Sequence, residues 1–254
     1  MLKISGLKKS FIAESPFAVS KKKVMAVAGV DFEIPDAAIV ALVGESGSGK
    51  TTLARCVCGL EIPDGGEIIY NNEPLSFDTK EKRGRVQYIF QDTFSSLNPR
   101  MKAGNAVAEV IRFHFNKKGK ELDSAVFSIF ESVGLDALTA GKYPHELSGG
   151  QRQRVVIARA LATGPALLIA DEPVSSLDVS VQAQVLNLLK ELNSARGISI
   201  LFITHDLRIV RSLAGYVVVM KDGAIVEKGD VETVFTRPRE AYTRLLLDSL
   251  PGAL

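Results

Sequence analysis

The sequence predicts an α/β fold built on a parallel sheet, and three observations carry that prediction. Short apolar runs recur at 38–43, 166–170 and 198–203, and their length and composition suit strands buried on both faces. Each run ends in residues capable of chemistry: Gly44, then Asp171-Glu172, then Thr204-His205-Asp206. Open parallel sheets bind ligands at that strand edge. Helical patterns at 52–58 and 179–192 follow the first two runs, the latter with Val181, Val185, Leu188 and Leu189 inward, as βα alternation requires.

Around this core the chain reads as follows. Segments 2–11 and 24–34 are strands, the second with Val24, Ala26, Ala28 and Val30 at period two, and a loop lies between them. The tract Lys21-Lys22-Lys23 reads as solvated loop. Pro63-Asp64-Gly65-Gly66 is a turn, 67–70 a strand and Asn71-Asn72 a hairpin turn, so an antiparallel β layer is expected. A strand at 86–90 ends at Gln91; Asn98-Pro99 then breaks the chain before helices at 104–115 and 121–133, a helical insertion forming its own lobe. Ser148 stands at a helix N-cap position before Gly149-Gly150 and an amphipathic run. A hairpin over 216–226 and two short helices, at 231–235 and 240–247, complete the chain.

Composition narrows the classes. The 254 residues, 46% hydrophobic and 24% charged, are those of a soluble globular protein. A net charge of +2 gives no electrostatic argument for nucleic acid. No apolar stretch is long enough to span a bilayer, and the N-terminus lacks a signal-peptide core, so the expectation is a protein that stays in the cytoplasm. Cys56 and Cys58, two apart on a predicted helix, suit neither a disulfide nor a four-cysteine metal site and read as core residues.

Between the first apolar run and its helix lies G-E-S-G-S-G-K-T-T, residues 44 to 52, which fits the phosphate-binding loop pattern at Gly44, Gly49, Lys50 and Thr51. Gly44, Gly47 and Gly49 allow positive φ angles and close backbone approach to an anion at a helix N-terminus. Lys50 would reach the β- and γ-phosphates, and the Thr51 hydroxyl would take one position on Mg²⁺. A Gly/Ser-rich turn alone would not need Lys50-Thr51. Asp171 is placed to hold Mg²⁺ through water, and Glu172 can take the proton of a water attacking the γ-phosphate; an acidic pair capping the turn at Pro173 is the plainer alternative. Gln91 and His205 each follow a strand. Either they point into the same crevice, Gln91 toward metal or water and His205 toward the γ-phosphate, or they are hydrogen-bonded surface residues.

In order and spacing, this loop, Gln91, L-S-G-G-Q at 147 to 151, L-L-I-A-D-E at 167 to 172, S-S-L-D at 175 to 178 and His205 resemble the nucleotide-binding subunit of an ATP-binding cassette (ABC) transporter. Phosphate loops occur in many NTPases, whereas the L-S-G-G-Q element marks this class. The resemblance covers essentially the whole chain. It narrows through Q-D-T-F-S-S-L-N-P-R at 91 to 100, Y-P-H-E-L-S-G-G-Q-R-Q-R at 143 to 154 and P-R-E-A-Y-T-R-L-L-L near the C-terminus, which are similar to the dipeptide, oligopeptide and nickel importer ATPases.

The resemblance implies a single 1–254 ABC ATPase domain, with a RecA-like P-loop NTPase core, an antiparallel β subdomain and a helical subdomain inserted at about 92–160. It implies ATP and Mg²⁺ as ligands. Nucleotide contacts would come from Gly44, Glu45, Ser46, Gly47, Ser48, Gly49, Lys50, Thr51 and Thr52, with Phe11 stacking on adenine unless it is a core Phe at a strand end. Thr51, Gln91 and Asp171 would serve the metal; Glu172, His205 and Gln91 the chemistry. Two chains, identical or related, would face head to tail, with Ser148, Gly149, Gly150 and Gln151 of one at the ATP of the other and Asp178 at the seam. The implied partners are permease subunits and, indirectly, a solute-binding protein, at the cytoplasmic face of the membrane. Phe94 and Leu97, joined to Gln91, would line the groove that receives a permease helix, or else pack the lobes together. Many peptide-importer relatives run on past the P-R-E-A-Y-T-R-L-L-L region, which keeps nickel or metallophore importers in play. The rival function is a non-transport ABC ATPase such as a carbon-phosphorus lyase-associated subunit.

Overall fold

The structure, a computed structural model, describes residues 1–13, 22–92 and 95–249. The chain divides into two compact units, one of residues 1–76 with 199–254, the other of residues 77–198.

The first unit begins with β1 (Leu2–Ala13) and β2 (Lys22–Ile34), an antiparallel pair. Lys22 and Lys23 therefore lie in a strand, opposite Ala13 and Ile12, and not in a loop; Lys21 lies outside the described residues. The expected period in β2 also changes. Leu7 pairs with Val30 but Lys8 with Ala28, so Gly29 is skipped, at φ +86°. Such a bulge inverts side-chain parity. Val27, Val30, Phe32 and Ile34 are consequently buried, whereas Val24 is 45% exposed.

Next come β3 (Ile39–Val43), α1 (Lys50–Val57), β4 (Gly65–Tyr70) and β5 (Glu73–Pro74). Strands β2, β1, β4 and β5 form a four-stranded sheet in that order, with antiparallel pairing throughout. Every residue of β3 is buried, as an apolar run covered on both faces should be.

The second unit starts with α2 (Lys80–Arg85), capped by the Thr79 side chain, and β6 (Val86–Ile89). The helices α3 (Ala103–Phe115), α4 (Gly119–Ser132) and α5 (Gly149–Leu161) follow, with 3₁₀ turns at Ala137–Gly141 and Pro144–Glu146. Then come β7 (Leu167–Asp171), parallel to β6, and α6 (Val179–Arg196), which ends at Gly197 in the left-handed conformation. Leu97 is 2% exposed. Its side chain packs inward and is not offered to a partner groove; Phe94 lies outside the described residues.

The chain returns to the first unit with β8 (Ser199–Thr204), α7 (Leu207–Leu213), β9 (Tyr216–Lys221), β10 (Ala224–Asp230), α8 (Val231–Thr236) and α9 (Ala241–Asp248). Here β3 is parallel to both β8 and β9, and β9 is antiparallel to β10. The helices α7, α8 and α9 contribute Val210, Val234 and Tyr242 to one apolar cluster with Ala41, Val43 and Val219. Cys56 is buried; Cys58 is only partly so, its thiol donating to Arg55 O at 3.4 Å. Burial pushes both thiols up to about 11.

Candidate nucleotide site

Strand β3 delivers the chain into residues 44–49, and α1 receives it at Lys50. At two of its positions the loop leaves no room for a side chain. A Cβ on Gly44 would lie 2.1 Å from Met220 O, and one on Gly49 2.1 Å from Ala26 O; both glycines have positive φ. The loop is thus pressed backbone-on-backbone against β9 and β2. At Gly47, in contrast, a Cβ would meet nothing within 4 Å. Its φ of +83° nevertheless favours glycine there too.

Lys50 is only 6% exposed, and its ammonium donates to Gly44 O and Glu45 O, each at 2.8 Å, and to Ser48 Oγ at 3.3 Å. A buried cation bound to carbonyls of its own loop is one aimed across that loop. Thr51 is exposed and Thr52 partly buried in the first turn of α1, Glu45 and Ser46 are exposed, and Ser48 is buried. The turn between β9 and β10 braces the loop: Gly223 N donates to Ser48 O at 2.9 Å while Ala28 N donates to Gly223 O at 2.8 Å. Farther along the chain, Glu45 N donates to the phenol oxygen of Tyr242 at 3.1 Å. Phe11 is 40% exposed, with Lys9 Nζ 5.3 Å from its ring centroid, which removes the core-Phe alternative. His205, just past β8, is exposed. Next to it Asp206 caps α7 and pairs with Arg208 at 2.7 Å; the hydrogen bonds from Arg208 hold the Asp206 carboxyl below its ordinary range.

In the second unit, β6 and β7 run in parallel to the acidic pair. Asp171 is 5% exposed and accepts a hydrogen bond from Tyr88 Oη at 2.6 Å, so its buried carboxylate has a donor fixing its orientation. Glu172 has φ +46°, a left-handed conformation costly for a residue with a Cβ. Its carbonyl accepts from Ser175 N at 3.3 Å and Ser175 Oγ at 3.1 Å. Its carboxylate accepts from Gln91 Nε2 at 2.9 Å. Gln91 and Glu172 are therefore brought together, and Asp171 sits beside them with Tyr88, a partner the sequence reading missed.

The signature segment forms a reciprocal cap. Ser148 Oγ accepts from Gln151 N at 3.2 Å, and Gln151 Oε1 accepts from Ser148 N at 3.0 Å. A Cβ on Gly149 would lie 3.3 Å from Leu177, and one on Gly150 2.5 Å from Val181, so Gly150 lets the start of α6 pack tightly on α5. Asp178 caps α6, accepting from Val181 N at 3.0 Å and Ser180 Oγ at 2.8 Å; the Val181 N–H, with the Ser180 hydroxyl, holds its carboxyl below the ordinary range. Among the described residues no group of three or more His, Cys, Asp or Glu could hold a metal. Within the second unit, the buried Asp171 carboxylate, oriented by Tyr88, is a hard oxygen donor of the kind taken by a cation that keeps most of its waters.

A buried strand, a glycine loop closing on a buried lysine at a helix N-terminus, and a buried strand-end aspartate next to a glutamate define a phosphate-loop nucleotide-binding protein. Residues 27–175 match the model of the ABC transporter family. The dipeptide transport ATP-binding protein DppF of Haemophilus influenzae is 42% identical over 99% of this chain and 78% of its own length. The oligopeptide transport ATP-binding protein OppF of Lactococcus lactis is 44% identical over 90% of this chain and 73% of its own. Among solved structures, a dimeric ATP-binding cassette in a post-hydrolysis state with ADP and Pi bound superposes with a TM-score of 0.79 at 28% identity, over 91% of this chain and 99% of that one. The chain belongs to the ABC transporter family and is an ATPase of the ATP-binding cassette type.

Proposed function

We propose that the chain is the ATP-hydrolysing subunit of an importer for peptides. The observation that carries the solute class is the extent of its similarity to dipeptide and oligopeptide transport ATP-binding proteins, which runs through both units and not only through the nucleotide motifs. Residues 1–254 act as one ATPase domain with a helical subdomain inserted at about 92–160. Its similarity to transport ATP-binding proteins supports a peripheral place at the cytoplasmic face of the membrane; no described helix is long and apolar enough to cross a bilayer. Permease subunits, and through them a solute-binding protein, are its partners.

In this reading the loop from Gly44 to Thr52 holds the ATP phosphates, Lys50 supplies positive charge to them, and Phe11 stacks on adenine. Thr51, Gln91 and Asp171 would serve Mg²⁺. When bound, the ion would offset phosphate charge. Glu172 takes the proton of the attacking water, and Gln91, already bonded to that carboxylate, orients it; His205 contacts the γ-phosphate. The dimeric state of the solved cassette supports a two-chain arrangement. There Ser148, Gly149, Gly150 and Gln151 present a helix N-terminus to the partner's ATP, and Asp178 lies at the seam.

Uptake tests the reading. Deleting the gene should abolish accumulation of a labelled dipeptide, restored by the wild-type chain and not by Glu172→Gln. Intact dipeptide uptake alongside lost nickel uptake would overturn the solute class and leave the ATPase assignment standing.

A further inference from the structure

Glu45 is held at both ends. Its carbonyl accepts from the Lys50 ammonium at 2.8 Å, and its N–H donates to Tyr242 Oη at 3.1 Å. The tyrosine lies 197 positions along the chain, in α9, within the P-R-E-A-Y-T-R-L-L-L segment, and none of the nucleotide-contact roles assigned above falls to it. Three features fix where its oxygen stands. Its ring is 9% exposed and packs in the cluster with Ala41, Val43 and Val234. Lys221, immediately after the Met220 whose carbonyl abuts Gly44, places its ammonium 4.8 Å from the ring centroid. The start of α9 is anchored as well: Glu227 of β10, itself 9% exposed, accepts from Arg239 N at 2.9 Å and Glu240 N at 3.2 Å. Burial pushes the Tyr242 phenol above its ordinary 10.

We propose that Tyr242 is a positioning residue for nucleotide binding, its phenol oxygen fixing the Glu45 peptide and thereby presetting the phosphate loop. A short glycine-rich loop has many conformations, and only the fraction already in the binding shape contributes to affinity. Lys50 closes the loop from its helix end by bonding Gly44 O and Glu45 O. Tyr242 closes it from outside, on the one Glu45 group that Lys50 cannot bond; because that N–H shares a planar peptide with the Gly44 carbonyl, the bond ties the orientation of Gly44 O, and with it the Lys50 ammonium, to α9. The helix that carries the tyrosine is thereby a lever on ATP affinity. Whatever loosens α9 lowers affinity without touching a phosphate contact.

The inference rests on the reading of residues 44–52 as the ATP site, and its test separates the two. Tyr242→Phe keeps the ring and its packing and removes only the oxygen. A lost hydrogen bond of ordinary strength weakens binding about three- to tenfold. The dissociation constant of a fluorescent ATP analogue and the KM for ATP should rise by that factor, with kcat at saturating ATP unchanged. Amide exchange at Glu45 should quicken while β3 and the interior of α9 keep their protection. Unchanged affinity in Tyr242→Phe, beside a wild type that binds ATP, overturns the inference. So does a loss of affinity accompanied by faster exchange throughout β3 and α9, because the residue would then be acting on the fold. A wild type that binds no ATP defeats the assignment of the loop, while exchange at Glu45 still reports whether Tyr242 orders it.

Discussion

Replacing Glu172 with Gln separates water activation from nucleotide binding, and the structure sets the expected sizes. The side chain is partly buried, and one carboxylate oxygen accepts from Gln91 Nε2 at 2.9 Å. A Gln side chain keeps an acceptor oxygen there, and the Ser175 bonds go to the main-chain carbonyl, so the substitution should cost at most about 1 kcal/mol of stability. ATP affinity should hold or rise, since a negative charge is removed near a polyanion. What is lost is the proton acceptor. General-base catalysis contributes about 10²–10⁴-fold, or roughly 3–5 kcal/mol of transition-state stabilisation. Phosphate release by the purified chain with Mg²⁺ and saturating ATP measures this, with the dissociation constant of a fluorescent ATP analogue taken in parallel. Lys50→Ala is the converse control: it removes a buried ammonium with three hydrogen bonds and should lose affinity first. If Glu172→Gln releases phosphate at the wild-type rate, Glu172 is not the base and its contact with Gln91 is structural.

Glu172→Gln with ATP should sediment as a dimer, and adding Ser148→Arg should return it to monomer, because a bulky cation at the N-terminus of α5 opposes the helix dipole and blocks the partner's phosphate; equal dimerisation by both forms would end the head-to-tail arrangement. Leu97→Ser should lower stability by about 2–5 kcal/mol, because it empties a buried leucine site and places a hydroxyl there, read as a lower urea midpoint; a variant as stable as wild type would return Leu97 to the surface. Acid should destabilise the fold through Asp178 and Asp206, whose carboxyls are held below their ordinary value near 3.8. A depressed carboxyl contributes stability above that value and loses it as pH falls through the folded one, so urea midpoints should drop below about pH 4, and Asp178→Asn should flatten the slope there; an unchanged slope would deny Asp178 its part.

The strand-and-loop plan was legible because the signals that carry it are local. For β3 and α1 a buried apolar run, a glycine loop and a helix start lie within twenty residues of each other, and for β7 and α6 an apolar run leads through an acidic turn to an Asp178-capped helix. What escaped the sequence depends on pairings between distant segments or on parity. The bulge at Gly29 reverses which face of β2 is buried, and nothing in the spacing of Val24, Ala26 and Ala28 announces it. Short helices such as α7 carry too few turns to show a period. Tyr88 reads as one more apolar strand residue until β7 brings Asp171 to its hydroxyl. Tyr242 reads as part of a terminal amphipathic helix until it is seen on Glu45 N. In both cases the chemistry-bearing residue was visible and its orienting partner was not, for a physical reason: a loop or a carboxylate announces itself by composition, whereas the tyrosine that holds it needs only to be apolar along its ring and polar at its tip. Residues that orient a site are thus under weaker local constraint than those that form it. The nucleotide loop of this protein consequently depends on a helix that its own motif does not predict.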